Sequence, residues 1–296
     1  MSLVELSQLE MRRADGLPEL CAIVAEKAAG GEPVVLLAGG TDWIVEQEMR
    51  PVGAAPAPLV VDISRLAALR EISLTGDRLR IGAATTYLEM RRSAVVQERA
   101  PLLERMGREL GALQIQARGT LGGNLATASP AADGVAALGA FDATIVVQSV
   151  RGERRIPMRE LQTGYKQGAR AADEVIVAVE IDLPPAGSPW YWRKVGTRRA
   201  QAISKVALAG VAEVSGGRVT RLGLGMASVA PVTALLPTVR ALALSRPLAE
   251  ITPEQVDAAV ATDVSPIDDV RSTREYRAHC ARVVVREFLQ QLGAPV

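Results

Sequence analysis

The sequence has few of the residues that protein-held metal centres and nucleophilic catalysis need. It contains two cysteines, Cys21 and Cys280, and one histidine, His279. An iron–sulfur cluster or a Cys/His zinc site takes about four such ligands, so the sequence excludes both kinds of site. A Cys–His or Ser–His nucleophile system is also hard to build from so few residues. Two cysteines fit a reducing compartment and no disulfide framework.

Aromatic residues and excess charge are scarce too. Aromatics make up 3% of the chain, and 34 Lys and Arg residues nearly balance 33 Asp and Glu residues. A nucleic-acid binder needs a basic surplus or base-stacking surfaces, so we expect no nucleic-acid partner. The longest charge-free stretch, Leu222 to Val239, contains two glycines and two prolines and predicts strand and loop, not an integral membrane segment. Met1 to Asp15 carries charges throughout, so we expect no secretory signal and a cytoplasmic protein.

The length and the order of the patterns indicate a fold of the α+β class. A chain of 296 residues suits two domains, or one domain with an appendage. Strand and helix patterns do not alternate regularly, which argues against a doubly wound sheet. Residues 184–189, rich in Pro, Gly and Ser, are the best linker candidate, and Val52 to Pro58 is a Pro/Ala-rich loop.

The spacing of apolar residues predicts individual elements. Strands or hairpins are predicted over Pro33–Leu37, Leu59–Ile63, Leu74–Ala83, Ala143–Met158, Glu174–Asp182, Lys205–Val214 and Val219–Ala227. Helices are predicted over Leu17–Ala29, Trp43–Met49, Thr85–Arg92, Pro101–Leu110, Ala131–Gly139 with Ser129 as N-cap, Thr252–Ala261 and Ser272–Leu292.

A first glycine segment, residues 36–43, joins a strand to a helix. Two glycines let the backbone approach a ligand closely, and N–H groups at a helix start can face an anion. The alternative is an ordinary strand-to-helix turn. The segment consists of Leu36, Leu37, Ala38, Gly39, Gly40, Thr41, Asp42 and Trp43.

A second glycine segment, residues 118–133, combines glycines with three hydroxyl side chains, the amide of Asn124 and the late carboxylate of Asp133. Small polar groups on a flexible backbone can wrap a pyrophosphate. The carboxylate would suit a ribose or ribityl hydroxyl. The segment lacks the Gly-Lys-Ser/Thr and Gly-x-Gly-x-x-Gly patterns of other phosphate-binding loops. The alternative is a packing loop of small residues.

Two further motifs accompany these segments: residues 193–206, and residues 265–271 followed by Tyr276–Arg277. Together the four motifs resemble the FAD-binding medium subunit of molybdenum hydroxylases, the xanthine dehydrogenase and carbon monoxide dehydrogenase family. The resemblance implies a two-lobed FAD-binding domain of the vanillyl-alcohol oxidase type over residues 1–183, with the lobes split near 55–60. A smaller C-terminal α+β domain over residues 190–296, with a three-stranded sheet and helices, would follow.

The resemblance also implies the roles of individual residues. The two glycine segments would wrap the FAD pyrophosphate, Asp133 would bind the ribityl chain, and Ile203 would lie against the flavin ring. The implied cofactor-binding residues are all of residues 36–43, together with Thr120, Gly123, Asn124, Thr127, Asp133, Lys194 and Ile203. No catalytic residue and no metal site is expected in this chain.

The densest basic cluster of the sequence contains Arg193, Lys194, Arg198, Arg199 and Lys205. Two interpretations stay open. The cluster could stabilise reduced flavin or a cofactor phosphate, or it could be a solvated strand or a face that docks a partner subunit. The pair Asp268–Asp269 is interpreted as a helix-start cap and not as an acid/base dyad.

The resemblance implies an electron-transfer subunit, most similar to that of xanthine dehydrogenase. A large partner subunit would hold a molybdopterin cofactor, and a small partner subunit would hold two-iron clusters. NAD or another acceptor would take the electrons. The assembled enzyme would be a dimer of heterotrimers. One alternative is a self-contained FAD oxidoreductase of the vanillyl-alcohol oxidase type, and another is a scaffold that has lost its flavin. If the chain is the FAD-binding electron-transfer subunit, Asp133→Ala should weaken FAD binding and leave the melting temperature of the flavin-free protein nearly unchanged.

Overall fold

The computed structural model describes residues 9–49, 58–199 and 201–296, and its mixed order of helices and strands confirms the α+β class. Residues 1–8, most of the predicted loop Val52–Pro58, part of the predicted split near 55–60, and Ala200 of the third motif lie outside the described residues. Among the described helices, none is long and apolar enough to cross a membrane.

The first lobe is a three-stranded parallel sheet with strand order β1-β3-β2. Its elements are β1 (Met11–Arg13), α1 (Leu17–Ala29), β2 (Val34–Leu37), α2 (Trp43–Glu48) and β3 (Leu59–Asp62). The apolar face of α1 buries Leu20 and Val24 in one cluster with Val61 of the central strand. Because β2 ends at Leu37, the first glycine segment leaves the sheet at its carboxyl edge.

The second lobe is a five-stranded antiparallel sheet with strand order β4-β5-β10-β6-β7. The central strand, β10 (Val175–Asp182), is an almost continuous apolar run and is buried at all positions except Asp182. The elements are β4 (Ile72–Thr75), β5 (Arg78–Gly82), α3 (Tyr87–Arg92), α4 (Ala94–Arg99), α5 (Pro101–Glu109), α6 (Leu113–Gln116), α7 (Leu121–Thr127), α8 (Asp133–Ala140), β6 (Thr144–Ser149), β7 (Gly152–Pro157), α9 (Met158–Leu161), β8 (Gln162–Gly164), β9 (Gln167–Gly168) and β10 (Val175–Asp182), with a 3₁₀ turn at Ala67–Leu69.

The C-terminal part is a three-stranded antiparallel sheet, β11-β12-β13, covered on one face by helices. Its elements are β11 (Trp190–Val195), β12 (Val206–Ser215), β13 (Arg218–Ala227), α10 (Pro237–Ser245), α11 (Pro253–Asp263) and α12 (Arg274–Gln291), with a 3₁₀ turn at Leu248–Glu250.

Helix α8 packs between the second lobe and the C-terminal sheet, and all eight of its residues are buried. Glycines of β13 allow this approach: a Cβ on Gly225 would lie 2.1 Å from the carbonyl oxygen of Ala136. One apolar core therefore runs from the five-stranded sheet through α8 to β12 and β13.

Two local predictions near the second glycine segment are wrong. The helix predicted over Ala131–Gly139 is present as α8, but Ser129 is not its N-cap: the helix begins at Asp133 after Ala132, because the Ser129 carbonyl accepts the Ala132 N–H in a turn. The segment was expected to be a loop, yet its centre forms helix α7.

Candidate functional site

The two glycine segments touch each other at the carboxyl edge of the parallel sheet. A Cβ on Gly39 would lie 2.0 Å from the carbonyl oxygen of Arg118, so the first segment packs directly on the backbone of the second. The hydroxyl of Thr127 donates a hydrogen bond to Oδ2 of Asp42 at 2.9 Å. Two segments about eighty residues apart in sequence thus form one surface.

The first segment presents backbone donors on this surface. Within the part of the chain that the structure describes, the N–H groups of Gly39, Gly40 and Thr41 make no hydrogen bond. Gly40 has a left-handed backbone, with φ +75°, which turns the chain sharply here. Successive unpaired N–H groups in such a turn form a concavity that binds anions.

The second segment contributes side chains more than backbone donors. The N–H groups at the start of α7 are already bonded, Leu121 to the Thr85 carbonyl and Gly122 to the Ala83 carbonyl. The Gly123 N–H donates to the Thr120 hydroxyl, which caps the helix. This part of the expectation for the second segment is therefore revised: most of its backbone donors serve the fold.

The two glycines of α7 have different surroundings. A Cβ on Gly122 would collide with the backbone of Ala83, at 2.7 Å from its carbonyl oxygen. A Cβ on Gly123 would meet only the Thr120 hydroxyl, at 2.9 Å, and nothing else within 4 Å. Gly122 is thus needed for packing, and Gly123 leaves room for a ligand beside the helix.

Two buried polar atoms beside α7 lack partners. Neither the hydroxyl of Tyr87 nor Oδ1 of Asn124 has a hydrogen-bond partner among the described residues. A Cβ placed on Gly134 would lie 2.4 Å from the first atom and 2.5 Å from the second, so the two atoms are close together. Burial, with Asp133 and Asp42 nearby, raises the pKa of Tyr87 well above its usual value and keeps the phenol protonated. Because an unpaired buried polar group costs about 1–3 kcal/mol, this pair fits a site completed by a polar ligand.

Asp133 is buried, and both of its carboxylate oxygens are bonded. Oδ2 accepts from Nζ of Lys194 at 2.5 Å, and Oδ1 accepts from the hydroxyl of Ser204 at 2.6 Å. Burial raises the pKa of Asp133 above its usual value, while the Lys194 ammonium opposes that shift. The carboxylate therefore ties α8 to β11 and to the segment after it.

The predicted basic cluster does not act as one unit. The Lys194 side chain points inward and is 8% exposed, whereas Arg193, Arg198 and Arg199 are exposed. Nζ of Lys205 lies 5.2 Å from the centre of the Tyr276 ring. Ile203 is 54% exposed and precedes Ser204, so it is accessible next to Asp133.

An apolar cavity of about 340 Å³ adjoins the glycine segments. Leu36 and Ala38 line it from the first segment, Gly123 and Ala126 from the second, and Val175 from β10. Arg170 and Glu174 add polar groups. A mostly apolar cavity with a few polar groups suits a ring-bearing small ligand.

Sequence reasoning missed Tyr87, Arg170 and Glu174. Tyr87 begins a helix with a capping box between Thr86 and Glu89, and that Thr-x-x-Glu pattern was the available signal. Among the described residues, no group of three or more His, Cys, Asp and Glu side chains could hold a metal ion.

The chain matches two known protein families and several known proteins. Residues 7–184 match the family described as the FAD binding domain in molybdopterin dehydrogenase, and residues 191–292 match the carbon monoxide dehydrogenase flavoprotein C-terminal domain. The chain is 29% identical to a putative xanthine dehydrogenase FAD-binding subunit of Escherichia coli, over 88% of each chain. It is 34% identical to the nicotinate dehydrogenase FAD-subunit of Eubacterium barkeri, a match that spans 59% of each chain.

A solved structure has the same fold. Carbon monoxide dehydrogenase from Hydrogenophaga pseudoflava superposes with a TM-score of 0.87 at 26% identity, and the match covers 96% of each chain.

Proposed function

This chain belongs to the family of FAD-binding subunits of molybdopterin dehydrogenases, and we propose that it is the electron-transferring subunit of a xanthine-dehydrogenase-like complex. FAD, when bound, supplies transfer of one or two electrons. In this proposal a small partner subunit with two-iron clusters delivers the electrons, and NAD or another acceptor takes them. A large partner subunit carries the molybdopterin cofactor, and the assembly is a dimer of heterotrimers.

The observation that supports this proposal is the contact between the two glycine segments, which groups unpaired donors with unpaired buried atoms. In our proposal the N–H groups of Gly39 to Thr41 hold the pyrophosphate. Thr127, whose hydroxyl donates to Asp42, keeps the second segment against the first beside it. Asn124 and Tyr87 gain their missing partners from the cofactor. These residues fit a group that carries both negative charge and hydroxyls.

We assign roles to the remaining predicted residues as part of the same proposal. Asp133 would accept a hydrogen bond from the sugar-alcohol chain, Lys194 holds that carboxylate in place, and the exposed Ile203 would lie against the flavin ring. Thr120 acts as the cap of α7. Leu36, Leu37, Ala38, Asp42 and Trp43 shape the first segment around the cofactor.

We place the domain boundary between Leu183 and Trp190, since β10 ends at Asp182 and β11 begins at Trp190. Free, buried Cys21 and Cys280 favour a reducing, cytoplasmic location.

The test is flavin retention by the purified full chain. Gly123→Val fills the open side of α7, and we expect it to weaken FAD binding by about 2 kcal/mol or more, because a ligand can no longer approach the backbone. Bound flavin is measured by absorbance after desalting. Gly16→Val is the control, since Gly16 has an extended backbone that a β-branched residue adopts easily and has no close contact. Full FAD occupancy in Gly123→Val would contradict the assignment.

A further inference from the structure

Arg277 is an arginine buried in the C-terminal part, away from the glycine segments. It lies on α12 and is 5% exposed. Its Nη1 donates to the carbonyl oxygen of Ser228 at 3.0 Å, and its Nη2 donates to Oδ1 of Asp269 at 2.5 Å. A buried guanidinium is costly unless it is paired. These two contacts pair Nη1 and Nη2, whereas Nε has no hydrogen-bond partner among the described residues.

The first of these contacts holds a backbone in an unfavourable conformation. Ser228 has φ +67°, in the left-handed region that residues other than glycine rarely adopt. Its N–H donates to the Pro130 carbonyl at 2.8 Å, and its hydroxyl donates to the Ser204 carbonyl at 2.8 Å. A strained conformation persists only where several contacts fix it, and Arg277 supplies one of the three found here.

The other two contacts of Ser228 end in the candidate site. Pro130 belongs to the second glycine segment. Ser204 follows Ile203, and its hydroxyl donates to Oδ1 of Asp133. Movement of Ser228 would therefore shift the edge of the site from two directions.

We propose that Arg277 is a positioning residue for the flavin site, acting through Ser228 on Pro130 and on the Ser204–Asp133 hydrogen bond. The proposal rests on the proposed function. Asp269 orients the guanidinium and is itself fixed, because its Oδ1 also accepts the N–H groups of Arg271 and Ser272 at 2.8 and 3.1 Å. Arg277 makes no direct contact with the glycine segments in this scheme; it sets where their neighbours lie.

The experiment uses the full chain with Arg277→Met. We expect FAD to bind about tenfold more weakly, as for loss of a hydrogen bond from a charged group, and the visible circular dichroism of the bound flavin to change. Fluorescence titration gives the dissociation constant. Arg286→Met is the matched control, because Arg286 lies on the same helix and pairs with Asp257, outside this network. It should retain the wild-type dissociation constant and spectrum.

A second variant keeps the test decisive if Arg277→Met folds poorly. Ser228→Gly adopts the positive φ without strain and loses only the hydroxyl bond to Ser204. We expect weaker FAD binding and an altered flavin spectrum with little change in melting temperature. If the folded variants bind FAD as the wild type does, with an unchanged spectrum, the positioning role is wrong. A wild-type chain that binds no FAD would contradict the proposed function itself, and this inference with it.

Discussion

At the scale of single residues, Asp133 has both a structural and a proposed ligand role. Its carboxylate is the partner of Lys194, and both side chains are almost fully buried. Removing one member of a buried ion pair leaves the other uncompensated, at a cost of about 3–5 kcal/mol. The sequence-based expectation that Asp133→Ala would hardly change the melting temperature is therefore revised.

A double variant separates the two roles of Asp133. We expect Asp133→Ala to lower both the melting temperature of the flavin-free protein and the affinity for FAD. Adding Lys194→Met removes the unpaired ammonium and should restore much of the stability without restoring the affinity. Thermal melts and FAD titrations measure the two effects. Asp142→Asn is the control, because Asp142 forms only a half-exposed pair with Arg240. Wild-type FAD affinity in the double variant would show that Asp133 is not a ligand.

Glu174, at the apolar cavity, gives a pH-dependent prediction. Hydrogen bonds from Arg154, at 2.8 and 2.7 Å, hold the pKa of Glu174 below its usual value against the effect of burial. A lowered pKa in the folded state adds stability that is complete above the unfolded pKa of about 4.3 and is lost as the pH falls through the folded value. We expect the melting temperature to fall more steeply on acidification below about pH 4.3 in the wild type than in Glu174→Gln.

The control for this pH dependence is Glu160→Gln. Glu160 pairs with Arg159 at an exposed site, so its loss should leave the profile unchanged. Parallel profiles for the wild type and Glu174→Gln would contradict the prediction.

At the scale of elements, the contact between the two glycine segments depends on Gly39. An added methyl group would collide with the Arg118 carbonyl, so Gly39→Ala must push the segments apart. We expect FAD binding to weaken by about 1–3 kcal/mol, because the hydrogen bond from Thr127 to Asp42 would be lost. Fluorescence titration measures the affinity. Gly30→Ala is the control, since a methyl group there makes only ordinary contacts. Unchanged affinity in Gly39→Ala would mean that the contact is not needed.

The elements that sequence predicts well are those with a local signal. The hairpin at Gly76 has alternating apolar and polar residues on both sides of its turn, and the hairpin at Gly216–Gly217 has mostly apolar strands. Strand β10 is an apolar run of strand length. Helix α7 lacks such a signal. Its two glycines favour other conformations, and long-range bonds to Thr85 and Ala83 hold its first turn.

The same distinction applies to the site. Both glycine segments are visible in sequence because glycine, hydroxyl and amide residues cluster within a few positions. The bond between Asp133 and Lys194 joins residues 61 positions apart, and the unpaired Tyr87 hydroxyl is recognised only when its surroundings are known. Sequence therefore indicated the two segments that meet in the structure, and tertiary packing determined which of their groups lack partners.

At the scale of the whole molecule, the domains share a core through α8, so the site is built jointly. Asp133 comes from one side of this core, whereas Lys194, Ser204 and Ser228 come from the other. An interface this apolar favours a fixed arrangement over independent domain motion. The C-terminal part consequently helps to shape the proposed flavin site.

The largest prediction concerns association with other subunits. Several exposed apolar side chains flank the glycine segments, and such clusters mark interaction surfaces. They are Ile44, Val45 and Met49 on and just after α2, Leu113 and Ile115 on α6, and Ile203. We expect an interface of roughly 2,000 Å² or more, which includes residues 114–118 and the C-terminal domain.

We test this surface with Leu113→Glu combined with Ile115→Glu in cells that also make the proposed partner subunits. The two charges should abolish co-purification, because burying an unpaired carboxylate opposes association, and they should leave the flavin content of this chain unchanged. Val150→Glu is the control, since Val150 is 59% exposed in the turn between β6 and β7, apart from the glycine segments. Undiminished co-purification of the double variant would reject this surface. A stable lone chain that oxidises a small organic substrate would instead favour the self-contained oxidoreductase, because such an enzyme needs no partner to deliver its electrons.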